Sequence, residues 1–175
     1  MSSLLRRDAT IGIWAPSSDS VAYRSRDNGI SVVPVAGSTE VAAVPVAGLP
    51  GRPWPESWSS DGRSVLVRVE VPATRADVWM VMSDGSAPPT PYLQTPSNEE
   101  GPRFSRDGRW VAFTSDESGS SEVFLQSYPR PGTATRVSTA GGTRPVWRPD
   151  GKELYFVDAA GRFNAVTQHV PVSGV

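Results

Sequence analysis

One histidine, no cysteine and eighteen carboxylates are what this 175-residue chain offers for chemistry. The histidine, His169, sits in the alternating segment "AVTQHV" near the last residue, which reads as a strand position facing solvent or a neighbour. A serine hydrolase needs a Gly-x-Ser-x-Gly elbow together with a histidine, and no such elbow is present. A phosphotransferase needs a Gly-rich phosphate loop with His-Arg-Asp and Asp-Phe-Gly segments, and none is present. Without thiolates, a transition-metal site would fall almost entirely to carboxylates. The densest acidic segment, "SDESGSSE", holds Asp116, Glu117 and Glu122. Hard cations want several oxygens, but the segment lacks the Asp-x-Asp-x-Asp-Gly spacing of a calcium loop and reads as a solvated hairpin loop. Asp107 and Gly108 are adjacent, whereas a sialidase Asp-box places one residue between them. The expectation is a non-catalytic chain with no metal and no cofactor.

The residue types suited to recognition fall elsewhere. "GLPGRPWPESW" (residues 48–58) carries Trp54 and Glu56 in what reads as a stiff, Pro-rich connection. "NEEGPR" carries Asn98, Glu99, Glu100 and Arg103, and "TR" carries Thr143 and Arg144. Three further polar loops add Arg26 and Asp27, Arg75, and Asp116 and Glu117. Charges of both signs gathered on loops suit contact with a protein or peptide. They acquire a common face only if the connecting elements repeat.

They do repeat. An aromatic residue opens a hairpin at Trp14, Trp58, Phe104 and Trp147, at intervals of 44, 46 and 43 residues. Each is followed by a turn and an alternating strand: "SVAYRS", "SVLVRVE", "WVAFTS", "ELYFVD". Three turns contain Asp-Gly, at Asp61-Gly62, Asp107-Gly108 and Asp150-Gly151, and the first copy has Ser17-Ser18 instead. Gly supplies the positive φ of a tight turn, and Asp bonds its own local backbone, so these pairs are structural. A third strand follows in each unit ("GISVVPV", "DVWMVM", "EVFLQSY", "RFNAVTQHV"). A weaker fourth follows in all but the last. A period of about 40–45 residues with four strands per unit is the pattern of a β-propeller blade.

The expected fold is therefore all-β: about four four-stranded blades, near 9–52, 53–98, 99–142 and an incomplete 143–175, forming an open arc of a larger ring. In "WVAFTS", Val111 and Phe113 face one way and Trp110, Ala112 and Thr114 the other. Both faces are apolar because each blade is sandwiched between two others. No segment keeps a helical period beyond two turns. An open arc is expected to expose Val21, Tyr23, Tyr155 and Val157, or their opposite-face neighbours, and to self-associate through its bare ends.

Charge and hydropathy set outer bounds. Seventeen basic and eighteen acidic side chains leave a formal charge of −1, which gives nucleic acid no basic stripe to follow. No apolar run reaches the roughly 18 residues of a membrane span, and "MSSLLRRDATIGIW" lacks the apolar core of a signal peptide.

"WSSDGRSVLV", "FSRDGRWVAFTSDESG" and "WRPDGKELYFVD" resemble the repeats of TolB-like propellers, a branch of the WD-like repeat proteins, strongly from Trp58 to Asp158 and weakly before. Ser60 and Arg106 stand where those repeats carry Pro, and Arg148-Pro149 stands for Ser-Pro. The segment from Tyr92 to Asp158 looks closer still to the propellers that follow the kinase domain of bacterial membrane serine/threonine kinases. That resemblance implies a sensor or interaction module, extracytoplasmic in such a parent, recognising a protein or peptide through the face carrying Asn98 to Arg103. Similar repeats also form the gating propeller of prolyl-oligopeptidase-type peptidases, which is the alternative reading. Family rings generally have six or more blades, so the resemblance also implies that this chain is a fragment.

Overall fold

The structure, a computed structural model, describes residues 11–25, 29–35, 44–46 and 48–167. His169, Arg26 and Asp27 lie outside the described residues. Fifteen strands are present among them, and no helix. They are β1 (Ile11–Trp14), β2 (Ser20–Arg24), β3 (Ile30–Pro34), β4 (Val44–Val46), β5 (Arg52–Trp58), β6 (Ser64–Val71), β7 (Arg75–Met82) and β8 (Thr90–Leu93). There follow β9 (Glu100–Phe104), β10 (Trp110–Ser115), β11 (Glu122–Ser127), β12 (Thr135–Arg136), β13 (Thr143–Trp147), β14 (Glu153–Val157) and β15 (Phe163–Thr167). They pair as four separate antiparallel meanders: β1 to β4, β5 to β8, β9 to β12, and the three-stranded β13 to β15. Each meander is one blade, and the four form an unclosed propeller.

"RPWPESW" is not a loop. It is β5, the first and innermost strand of the second blade. Proline cannot donate to a ladder, but an edge strand leaves one side without a ladder, and Pro53 and Pro55 sit opposite Val69 and Val67 on that edge. Pro102 in β9 and Pro145 in β13 repeat the arrangement. All three strands also carry a register shift, between Pro55 and Ser57, between the partners of Ala112 and Thr114, and between Thr143 and Val146. A bulge of this kind bends a strand and re-aims its side chains.

The hairpin turns are built to one plan. Gly62, Gly108 and Gly151 have φ of 73°, 67° and 75°. In the second blade Ser59 Oγ donates to Asp61 Oδ1 (2.6 Å), which also accepts from Arg63 N (3.0 Å), while Ser64 N donates to Ser59 Oγ (2.9 Å). Ser105, Asp107, Arg109 and Trp110 repeat those bonds. Hydrogen bonds from Ser59 lower the Asp61 carboxyl below its usual range, so the turn keeps its anion. In the fourth blade Arg148 replaces the serine and pairs with Asp150 at 3.3 Å. In the first, Ser18 occupies the glycine position at φ 61°. A β-branched side chain at positive φ is strained, so Gly62→Val, Gly108→Val and Gly151→Val are each expected to cost more than about 1 kcal/mol in urea melts. Ser18→Gly is expected to stabilise by up to about 1 kcal/mol for the converse reason.

Three apolar layers lie between the four blades. Ala22, Ile30 and Val32 meet Val65, Val67, Val69 and Val81 between the first and second. Leu66 and Val78 meet Phe104, Val111, Phe113 and Phe124 between the second and third. Ala112, Val123 and Leu125 meet Leu154 and Phe156 between the third and fourth. Val111 and Ala112, adjacent in β10, serve different layers, which is the alternation read from the sequence. Each fully buried aliphatic side chain contributes roughly 1.5–3 kcal/mol, so these layers dominate stability.

The ends differ from expectation in detail. Tyr23 is buried (3% exposed), and Val21, Tyr155 and Val157 are half-buried. Among the described residues the exposed large apolar groups are instead Phe163 (83%), Trp14 (59%), Val146 (56%) and Ile11 (41%). Pleat direction places Phe163 and Val146 on the face of the last blade opposite Leu154 and Phe156, beside Tyr155 and Val157.

Candidate functional site

The innermost strands β5, β9 and β13 bring the recognition residues together. Trp54 projects from β5, and three guanidiniums surround its ring: Arg24 at 4.1 Å from the centroid, Arg52 at 4.9 Å and Arg68 at 5.3 Å. Such stacking gains most where water is excluded, and Arg24 is only 8% exposed. Glu56, two residues along the same strand, ties the cluster to the next blade. It accepts from Arg103 Nη1 at 2.8 Å and lies 3.5 Å from Arg68 Nε. Arg103 Nη1 also donates to the Glu56 carbonyl (2.9 Å), and Arg68 pairs with Glu70 at 2.9 Å. Arg68 and Arg103 thus share Glu56, and Arg68 also holds Glu70, beside two further guanidiniums on the Trp54 ring.

Arg103 continues into a groove of about 540 Å³ between the third and fourth blades. Glu100, Arg103, Thr114, Arg144, Val146 and Asp158 line it. Arg144 is exposed, has a φ of 56°, and makes no ion pair among the described residues. Asp158 accepts from Ala160 N and Arg162 N, each at 2.9 Å, and from Arg162 Nε. Those bonds, the Arg162 backbone first, hold its carboxyl down at about 2, so it closes a loop as a permanent anion.

Of the residues selected from the sequence, Trp54, Glu56 and Arg103 form one network, and Glu100, Arg103 and Arg144 share one groove. They lie on the inner strands themselves rather than on loops. Thr143 begins β13 beside them. Asn98 is half-buried and donates its N–H to Asp116 Oδ1 (2.9 Å), which helps lower the Asp116 carboxyl. Arg75, the first residue of β7, joins Asp116 at 2.5 Å, so this ion pair clasps the second and third blades together. Glu122 is buried and accepts from Ser138 Oγ and from Gly141 N (3.1 Å). Asp116 and Glu122 therefore already have protein partners, and no group of three or more potential metal ligands occurs among the described residues.

Glu99 departs from the expected channel-mouth position. It is 1% exposed, its N–H donates to the Ala76 carbonyl (2.8 Å), and Thr95 Oγ1 donates to its carboxylate. Its carboxyl is pushed up to about 7, first by burial and then by Asp77, Glu117 and Asp116. A side chain enclosed in this way is not presented to a partner.

The sequence reading missed Arg24, Arg52 and Arg68. Arg24 and Arg68 occupy the same position of successive repeats, each ending the run "VAYR" or "VLVR", and Thr114 and Val157 stand there in the third and fourth. Aligning the repeats by pleat position exposes that shared arginine. Arg52 lay in the segment misread as a connection.

No curated protein matches the chain by sequence. Solved structures match its fold. A TolB-annotated protein from Agrobacterium tumefaciens superposes with a TM-score of 0.70 at 21% identity, over 91% of this chain and 65% of that one. TolB from Acinetobacter baumannii superposes with a TM-score of 0.65 at 21% identity, over 94% of this chain and 45% of that one. The Cps50 (Swd1) β-propeller domain of Myceliophteria thermophila gives 0.71 at 16% identity, over 95% of this chain and 54% of that one. The chain thus spans no more than 65% of any of these three structures. The profile of one family, the TolB beta propeller domain, matches residues 9–174, nearly the whole length, and the chain belongs to that family.

Proposed function

We propose that this propeller is a non-catalytic module that recognises a protein or peptide through its inner-strand surface, and that it favours acidic segments. The observation that carries the reading is Trp54 enclosed by three guanidiniums and joined through Glu56 and Arg103 to the groove beside Arg144. Guanidinium forks bind carboxylates two hydrogen bonds at a time, and an aromatic face holds the forks in place. The TolB resemblance supports an interaction role. The further likeness to kinase-attached propellers rests on the wording of residues 92–158 alone.

Titration calorimetry with acidic, neutral and basic peptide pools tests this. Arg52→Glu combined with Arg144→Glu is expected to weaken binding of the acidic pool at least about tenfold, because both groups are exposed and face the ligand. The melting temperature is expected to shift by no more than about 2 °C, since exposed charges contribute little to stability. Equal binding of acidic and basic pools, or binding unaffected by the double reversal, defeats the proposal.

A further inference from the structure

The connections that enter the third and fourth blades, from β8 to β9 and from β12 to β13, follow one plan. Glu99 N–H donates to the Ala76 carbonyl and Gly142 N–H to the Ser121 carbonyl, both at 2.8 Å. The acid after each acceptor, Asp77 or Glu122, is equivalent by register, since Val78 lies opposite Arg68 and Val123 opposite Thr114. Thr95 and Ser138 each stand four residues before the donor. In the later connection the plan closes. Ser138 Oγ donates to one oxygen of Glu122 and Gly141 N–H to the other, so both have partners. Gly142 leaves room for this, because a Cβ there would overlap Ser138 Oγ and lie 2.7 Å from Ser138 Cβ.

The earlier connection carries a second acid in the place of that glycine. Thr95 Oγ1 donates to Glu99 instead of to Asp77. Asp77 Oδ2 accepts from Thr74 Oγ1 (2.9 Å) and Gln94 Nε2 (3.4 Å). Asp77 Oδ1 and Glu99 Oε2 are both enclosed with no hydrogen-bond partner among the described residues. Asp116 and Glu117, after β10, act on the same Glu99 carboxyl, and Arg75 is the cation held on Asp116. Charge on both enclosed acids at once has neither water nor a donor to offset it.

We propose that the joint between the second and third blades is a proton-operated latch, closed while Glu99 is protonated and loosened when that proton leaves. Loss of the proton sets a buried anion beside Asp77, Asp116 and Glu117, and movement of residues 94–99 toward water relieves it. Two bonds open with them, from Glu99 N–H to the Ala76 carbonyl and from Asn98 N–H to Asp116. β9 begins at the next residue and carries Glu100 and Arg103, so the inner strand shifts as the latch opens. Resting on the recognition reading above, an acidic ligand is held more tightly by the closed state, and its binding takes up a proton. Burial holds the Glu99 carboxyl at about 7, which sets the pH range in which the latch works.

Hydrogen exchange read by mass spectrometry on peptides covering residues 94–104, each rate divided by its intrinsic value, tests the latch. Exchange in the unmodified chain is expected to quicken at least about tenfold between about pH 6 and about pH 8, and more than in the peptide covering β14. Glu99→Gln is expected to stay protected at both. Asp77→Asn removes one opposing charge and is expected to move the change to higher pH. Titration calorimetry with the acidic peptide pool at about pH 7.5, in two buffers of different ionisation heat, reads the coupling. The unmodified chain is expected to take up part of a proton on binding, and Glu99→Gln none. Exchange that ignores pH, that responds equally in Glu99→Gln, or that β14 shares equally, overturns the latch. Binding by the unmodified chain without proton uptake overturns the coupling. If no pool binds, the recognition reading fails by itself, and the exchange result still decides the latch.

Discussion

Glu99→Gln is expected to stabilise the chain at pH 8 and to flatten its pH profile between about 4.5 and 7. Glu99 is 1% exposed, its Oε2 has no hydrogen-bond partner, and Asp77 beside it is 0% exposed with its own Oδ1 unpartnered. Burial raises the Glu99 carboxyl from 4.5 to about 7, and the neighbouring acids push the same way. A raised carboxyl binds its proton more tightly in the native state than in the unfolded chain. Stability is then greatest below the unfolded value and is lost as pH rises through the native one. A displacement of this size amounts to about 3 kcal/mol by pH 8. Gln keeps the shape and the acceptor for Thr95 but carries no charge to desolvate. Urea melts of both proteins from pH 4.5 to 8 check this. A flat wild-type profile, or a variant less stable at pH 8, would show that Glu99 does not hold its proton.

Gly51→Ala is expected to cost about 3 kcal/mol or more, a large share of the 5–15 kcal/mol typical of a domain. A Cβ at position 51 would lie 2.0 Å from the Glu70 carbonyl oxygen and 3.0 Å from its carbon. Those are ladder atoms, since Arg52 pairs with Glu70 where β5 begins, so no side chain can swing aside. The inner strand would have to shift, and Trp54 and Glu56 would shift with it. The same methyl at Gly62 meets nothing within 4 Å and carries only the cost of positive φ. Comparing the urea midpoints of the two alanine variants separates close approach from backbone strain. A Gly51→Ala loss no larger than that of Gly62→Ala would mean the β5 edge has room.

Sequence alone determined the blade count, the turns and the two-faced strands. These are local: a period of two residues within strands, Asp-Gly where φ must be positive, and a hairpin aromatic near every forty-fourth residue. Val111 and Phe113 against Ala112 could be read without coordinates because alternation alone assigns their faces. Only the tertiary structure decided that "RPWPESW" is a strand, because two prolines disqualify it everywhere except on an edge, and edges are defined by neighbours. The same holds for charge. Glu99 and Glu100 are adjacent and chemically alike, yet one is enclosed between blades and the other opens onto the groove. Arg52 and Arg68 reach Trp54 within one blade, Arg68 directly opposite it across β5 and β6, but Arg24 lies 30 residues earlier in the preceding blade and reaches the ring only because the first two blades stack.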